Sequence, residues 1–284
     1  MSPEMTLRVL IVYTRKDLVT NLFFVKQLSD SLEKAGRDAT VISTESLSLA
    51  TIEQLEHLKE STSLVIFRSR DVALSKKMGE MGFKIINNPS LLELATDKLK
   101  TYEFCLSHSL PTIQTTTLEQ SIEATLPHKV PLVIKDRFGH GGSSVVLLDT
   151  KDDVHTHLSN KALHLFVAQP FIDDVLCEWR AYVIGRQIKY WVKKTPKSGD
   201  FRANLSQGAK IEKKRPPDQI RSLVEQVVCY LGEGAYGVDI LQTRHGNLLG
   251  EIEDPVGFRS LYRLNLTDIT ETLASYFISV SGHD

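Results

Sequence analysis

The sequence predicts two architectures in one chain, a small parallel α/β sheet over residues 1–88 and an α+β region of antiparallel hairpins over residues 89–284. Three observations carry this. In the first third, short β-branched runs alternate with helix-length amphipathic stretches, the pattern of βαβ units. At Asn87-Asn88-Pro89-Ser90 the chain then breaks, since Asn and Pro end a strand and Ser90 can cap a helix. Beyond the break, strand-like runs come in pairs joined by glycine-containing turns.

Taken in order, residues 7–13 form a continuous β-branched run, and residues 21–35 place Leu22, Val25, Leu28 and Leu32 at helical spacing before Gly36 ends the helix. Residues 40–42, 64–67 and 84–86 read as further strands, with a helix closing at Gly79 or Gly82 before the last of them. Residues 91–108 read as one amphipathic helix, left at Pro111. Strands at 130–135 and 145–148 flank the glycine-rich loop 137–144, and a helix is expected at 152–158. Strands at 165–169, 179–184 and 187–193 follow, the last two joined by Gly185-Arg186. A helix over 217–231, a hairpin of 238–241 with 248–253, and a helix over 268–278 complete the chain.

With 284 residues, 42% of them hydrophobic, the chain can bury a sizeable core, which excludes disordered and fibrous classes. The 34 Lys and Arg against 35 Asp and Glu leave a net charge of −1, so no global field draws in nucleic acid or an anionic membrane. Cys105, Cys177 and Cys229 are isolated and lack C-x-x-C spacing, so they read as reduced, mostly buried thiols of a cytoplasmic protein. The first apolar run is too short for a signal sequence or a membrane span.

Four clusters of residues carry chemistry. Glu251 and Glu253 stand two apart on a strand and so share a face, while Asp239 lies on the partner strand. An odd-numbered turn brings Asp239 to that face, and an even one points it away. Three converging carboxylates need a cation between them, and hard oxygen ligands suit Mg²⁺. Eight Lys and Arg against two acids lie between Lys193 and Arg215, around Gly199-Asp200-Phe201-Arg202-Ala203-Asn204, where Arg202 offers a fork of donors to phosphate and Asn204 a neutral amide. The loop Gly139-His140-Gly141-Gly142-Ser143-Ser144 lets backbone N–H groups approach phosphate, though it fits neither the P-loop nor the Rossmann pattern. Lys135 ends the strand before that loop, and Lys98 sits in Thr96-Asp97-Lys98-Leu99; each can hold a phosphate as a point charge.

In sequence order, Thr96-Asp97-Lys98-Leu99, Pro131-Leu132-Val133-Ile134-Lys135, the glycine-rich loop, Gln169-Pro170-Phe171-Ile172, Trp179-Arg180, the 199–204 block, Gly237-Val238-Asp239-Ile240-Leu241 and Glu251-Ile252-Glu253 resemble ATP-grasp enzymes of the RimK type. The resemblance covers about residues 85–280. It implies an ATP-grasp fold, a pre-grasp domain at 1–88 and an ATP-grasp region at 89–284. It further implies an ATP-dependent carboxylate–amine ligase of the glutamate ligase type. By the same resemblance Lys98 and Lys135 contact ATP phosphates, with Gly141, Gly142 and Ser143 closing over them. Gln169, Pro170 and Phe171 hold the adenine edge through backbone groups, and Glu178 stands near the ribose. Arg202 and Asn204 face the γ-phosphate and the acyl-phosphate, Asp239, Glu251 and Glu253 bind Mg²⁺ or Mn²⁺, and Arg259 meets a substrate carboxylate.

Three departures from the family pattern stand out, and the altered 251–257 run makes the acceptor site unusual. Glu253 stands where the family has Asn, Pro170 replaces an acidic residue, and Glu251-Ile252-Glu253-Asp254-Pro255-Val256-Gly257 replaces E-V-N-x-S-P-G. The partners expected are an amino acid and an amine- or carboxylate-bearing acceptor, without nucleic acid or membrane, and a homo-oligomer is left open. Three rival readings stand beside the ligase: a peptide-modifying ligase of a specialised pathway, a nucleotide-binding relative without turnover acting as a sensor or partner subunit, and a nucleic-acid binder using the 193–215 run. Against the last, Phe201 alone interleaves the basic residues, and stacking platforms usually offer several aromatics.

Overall fold

The computed structural model describes residues 8–123, 131–140, 145–148, 162–196 and 209–282. The first sheet is built from β1 (Arg8–Tyr13), β2 (Ala39–Ser43), β3 (Thr62–Phe67) and β4 (Ile85–Ile86), all parallel, in the order β2-β1-β3-β4. Between them run α1 (Arg15–Lys34), α2 (Thr44–Leu49), α3 (Ile52–Glu60) and α4 (Val72–Glu80). Both faces of the sheet are covered, which is why β1 reads as unbroken apolar sequence. Helix α1 begins six residues earlier than the spacing indicates, because the Thr14 side chain accepts from Asp17 N–H and caps it. Leu22, placed on the buried face by its spacing, is exposed; Phe24 takes that role beside Val25, Leu28 and Leu32.

The helix expected at 91–108 is two helices, α5 (Pro89–Thr96) and α6 (Lys98–Ser107). Asp97 between them is extended and caps α6, accepting from Leu99 N–H at 3.0 Å. Strand β5 (Thr116–Thr117) and helix α7 (Leu118–Glu123) lead to β6 (Leu132–Asp136), β7 (Val145–Leu148) and β8 (Phe166–Pro170), a four-stranded sheet of order β5-β8-β6-β7. Strands β6 and β7 pair antiparallel, as the hairpin about the glycine-rich loop requires. The helix expected at 152–158 lies outside the described residues.

A five-stranded antiparallel sheet follows, of order β11-β10-β9-β12-β13, from β9 (Val175–Gly185), β10 (Gln187–Thr195), β11 (Lys210–Lys213), β12 (Gly234–Thr243) and β13 (Asn247–Glu253). Helix α8 (Asp218–Leu231) buries Ile220, Leu223, Val224, Val227 and Val228 in a core shared with Trp179, Val183, Val238 and Ile240 of this sheet. Helices α9 (Arg259–Arg263) and α10 (Ile269–Ser281) end the described chain. Cys105 and Cys177 are buried, while Cys229 is exposed. No helix among the described residues is long and apolar enough to cross a membrane.

One core crosses the break at residues 87–90. Val9, Ile11, Leu64 and Ile66 of the parallel sheet pack with Ile269, Leu273 and Phe277 of α10 and with Tyr182 and Ile184 of β9. Asn87 ties the same regions by hydrogen bonds, its amide nitrogen donating to Ala235 O at 3.0 Å and its oxygen accepting from Ala235 N–H at 2.6 Å. Gly234 permits this approach, because a Cβ there would stand 2.8 Å from Asn87 Oδ1. Asn87→Ala is therefore expected to lower unfolding free energy by about 3 kcal/mol, since two buried backbone groups each lose a partner worth about 1–3 kcal/mol. Urea denaturation measures it, and a loss below about 1 kcal/mol would show that the backbone groups find other partners.

Candidate active site

Strand pairing assembles the carboxylates. Near the turn, Ile240 pairs with Leu249, Leu241 with Leu248 and Gln242 with Asn247, and Thr243 N–H donates to Gly246 O at 2.9 Å. That even register alone would turn Asp239 away from the two glutamates. A bulge at Gly250 shifts it, so that Asp239 pairs with Glu251 and Gly237 with Glu253, and all three acids share one face.

The cation between them is a side chain. Arg180 of β9 pairs in register with Asp239, and its guanidinium forks onto that carboxylate, with Nε to Oδ1 at 2.6 Å and Nη2 to Oδ2, while Nη1 meets Glu253. Lys194 of β10 pairs with Glu178 of β9 and reaches Asp239 Oδ2 at 3.4 Å. Burial alone would raise the Asp239 carboxyl, but Arg180 and then Lys194 outweigh it and hold the group well below the usual carboxylate range. Glu178 is pushed up to about 7 by burial, against the pull of Lys194. Burial also raises Glu253, with Arg180 opposing.

Two lysines stand near this row, one on β6 and one at the start of α6. Lys135 follows the buried part of β6, and Lys98 opens α6 with its ammonium on Gly139 O. Burial lowers both ammonium groups, and Glu251 is in each case the strongest opposing charge. The loop after β6 is fixed by Arg137, which forks onto Asp97 at 2.7 and 2.6 Å and accepts Lys98 N–H on its carbonyl at 3.2 Å. Gln169 is buried and donates to Thr115 Oγ1 at 2.9 Å, and Phe171 N–H is spent on Pro131 O at 3.0 Å.

A cleft opens beside these groups, lined by Arg70, Thr96, His140, Glu251, Glu253 and Asp254 among others. Neither carboxylate oxygen of Asp254 finds a hydrogen-bond partner among the described residues. Burial pushes this acid up to about 7, with the nearby Asn87 amide, Arg68 and Arg70 opposing too weakly to prevent it. Arg259 lines a separate apolar cleft with Phe23, Phe24, Arg68, Phe258 and Tyr262.

Of the residues expected from sequence, Glu251 and Glu253 line the cleft, Lys98 reaches its edge through Gly139 O, Lys135 lies on β6, Glu178 and Asp239 lie on β9 and β12, and Gln169, Pro170 and Phe171 lie on β8 and its end. Gly141, Gly142, Ser143, Arg202 and Asn204 lie outside the described residues. Among the described residues no three acidic, histidine or cysteine side chains stand in a ready metal-binding cluster. Arg180 and Asp254 stand in quoted motifs and Lys194 in the basic run without an assigned role, and Arg70 stands in none. A role for Arg180 was within reach of the sequence, because Glu178 and Arg180 alternate onto one strand face.

Two antiparallel sheets with a cleft between the loop after β6 and the carboxylates of β13, and with Lys98 and Lys135 near those carboxylates, are the arrangement of a nucleotide-using ligase of the ATP-grasp fold. Residues 90–277 match the RimK-like ATP-grasp domain, and the chain belongs to that family of carboxylate–amine ligases. An uncharacterized protein of Mycoplasma pneumoniae is 27% identical over 259 residues, 90% of this chain and 87% of that one. A protein of Legionella pneumophila named probable alpha-L-glutamate ligase is 28% identical over 212 residues, 72% of this chain and 70% of that one. The ATP-grasp ligase PsnB, in complex with a phosphomimetic variant of its minimal precursor, Mg and ADP, has the same fold, with a TM-score of 0.70 at 17% identity over 98% of this chain and 99% of that one.

The raised Asp254 sets a pH dependence. Its folded-state value near 7 lies above the ordinary 3.8, so it favours the folded state while protonated and loses that contribution as pH rises between the two. Asp254→Asn cannot ionise. The difference in urea midpoint between this variant and the wild type is expected to grow in the variant's favour from pH 4.5 to 7.5; a constant difference would place the acid in a solvated setting.

Proposed function

We propose that this chain uses ATP to phosphorylate a substrate carboxylate and couples the acyl-phosphate to an amine, joining a glutamate-like amino acid to a peptide, protein or small metabolite. The observation that carries this reading is the cleft itself, which brings Glu251 and Glu253 of β13 opposite the loop after β6, with the Lys98 ammonium held on Gly139 O of that loop and Glu251 acting on both Lys98 and Lys135. Transfer to a carboxylate needs charge neutralisation and in-line placement more than a protein nucleophile. The name of the Legionella relative supports glutamate as the amino acid. In this reading residues 1–88 form the pre-grasp domain and 89–284 the ATP-grasp region.

Lys98 and Lys135 would hold ATP phosphates as point charges, each freed from a dry environment by the anion it meets. The segment 169–171 would line the adenine with groups other than the committed Phe171 N–H, and Glu178 would stand toward the ribose. Arg202 and Asn204 would meet the transferred phosphoryl group. The oxygen donors suit a hard divalent cation: Glu251 and Glu253 line the cleft, while Glu253 and Asp239 would each have to exchange a contact with Arg180 to join it. Mg²⁺, or Mn²⁺ in its place, would neutralise phosphate charge there. Attack of the amine on the acyl-phosphate then yields the amide and releases phosphate, with ADP left from the first step.

The engagement of both Asp239 and Glu253 by Arg180 favours one other reading, a nucleotide-binding relative without turnover. ADP release with ATP, Mg²⁺ and an amino-acid panel, followed by mass analysis, separates the two. Amino-acid-stimulated ADP with a new adduct is the expected result; ATP binding with no adduct under any amino acid and peptide pair would overturn the ligase reading. Glu251→Gln is expected to raise the Mg²⁺ concentration for half-maximal rate, and Lys135→Ala to raise KM for ATP, each by about tenfold or more. Arg202→Ala should instead lower kcat by orders of magnitude with little change in ATP affinity. Steady-state kinetics with varied Mg²⁺ and ATP tests all three.

A further inference from the structure

The cleft contains an acid whose oxygens find no hydrogen-bond partner of good geometry among the described residues, the Asn87 amide near it being already given to Ala235 O. Asp254 is 3% exposed, lines the cleft, and has no hydrogen-bond partner on either oxygen among the described residues. A buried carboxylate left in this way is costly unless it is neutral or a cation from outside meets it. The neighbouring cations are committed elsewhere. Arg68 donates to the Tyr13 hydroxyl at 3.1 Å and to Val256 O at 2.6 Å, under the rings of Tyr13, Phe24 and Phe258. Arg180 is spent on Asp239 and Glu253, Lys194 on Glu178 and Asp239, and Lys98 on Gly139 O.

Arg70 is the exception. It follows β3, at the point where the connections leaving β1 and β3 run to opposite sides of the parallel sheet, the crevice in which such sheets receive ligands. It lines the same cleft as Asp254, and its guanidinium makes no hydrogen bond or ion pair among the described residues. An acid and a guanidinium near enough to feel each other yet joined by no hydrogen bond or ion pair among the described residues, carried just past the ends of two different sheets, complement a zwitterion placed between them.

We propose that Asp254 receives the ammonium nitrogen of the amino substrate and Arg70 one of its carboxylates, so that this pair selects an α-amino acid over an amine or an acid alone. The inference rests on the ligase reading above and names the atoms by which that reading's amino substrate is held. A site built to bond a cationic nitrogen discriminates strongly against an analogue lacking it.

Calorimetry on the full chain with Mg²⁺ and a non-hydrolysable ATP analogue tests this, with L-glutamate and glutarate as probes. Glutarate keeps both carboxylates and lacks the nitrogen. The wild type is expected to bind glutamate at least about tenfold more tightly than glutarate, the scale of a bond to a charged partner. Asp254→Asn should erase that ratio by weakening glutamate alone, and Arg70→Ala should weaken both ligands. Equal affinities in the wild type, or an unchanged ratio in Asp254→Asn, would overturn the assignment while leaving the ligase reading intact. Failure of the wild type to bind either ligand would instead overturn the glutamate-like reading, and this inference with it. Should Asp254→Asn fail to fold in a thermal melt, the wild-type ratio decides.

Discussion

Three carboxylates on two neighbouring strands repel one another in a dry interior, and the guanidinium of Arg180 is what allows Asp239 and Glu253 to be buried side by side. The bond is bidentate to Asp239, so it fixes an angle as well as a charge. Lys194 repeats the arrangement one step along the sheet by joining Glu178 to Asp239. Such networks add little net stability when both charges must be dehydrated, and they penalise the loss of any single member. Their effect is geometric: strands β9, β10, β12 and β13 are held in the one register that presents Glu251 to Lys98 and Lys135.

The parallel sheet is part of the same construction. Its strands supply Arg68 and Arg70 at their C-terminal ends, and its core is shared with α10 and β9. Asn87 and Ala235 add a pair of buried hydrogen bonds between the regions. The cleft wall bearing Arg70 is therefore tied to the wall bearing Asp254 by packing that begins far from either residue.

Much of this was legible in the sequence. Alternation of β-branched runs with helices located the parallel sheet, and the Glu251-x-Glu253 spacing placed two acids on one face, because both signals depend only on local period. What escaped depended on partners distant in sequence. Asp97 divides the helix expected at 91–108 since its carboxylate is drawn to Arg137, forty residues away, and a single helix would leave that fork unmet. Leu22 has correct helical spacing and faces outward, since the stripe that meets the sheet is set by Phe24. The side of the strand on which Asp239 falls stayed open because it turns on a bulge that no turn composition announces. Lys194 was visible only as one of eight basic residues, its burial being a property of the sheet and not of the run.

The bulge at Gly250 also constrains how this hairpin tolerates change in length. Strand faces alternate, so the turn and the bulge act as two half-steps whose sum must be whole. One residue added to the turn would invert the acids unless the bulge vanished with it, and two residues would leave them in place. Variation here is thus restricted to even increments or to paired events, a rule of arithmetic imposed on the chain by the pleat of the sheet.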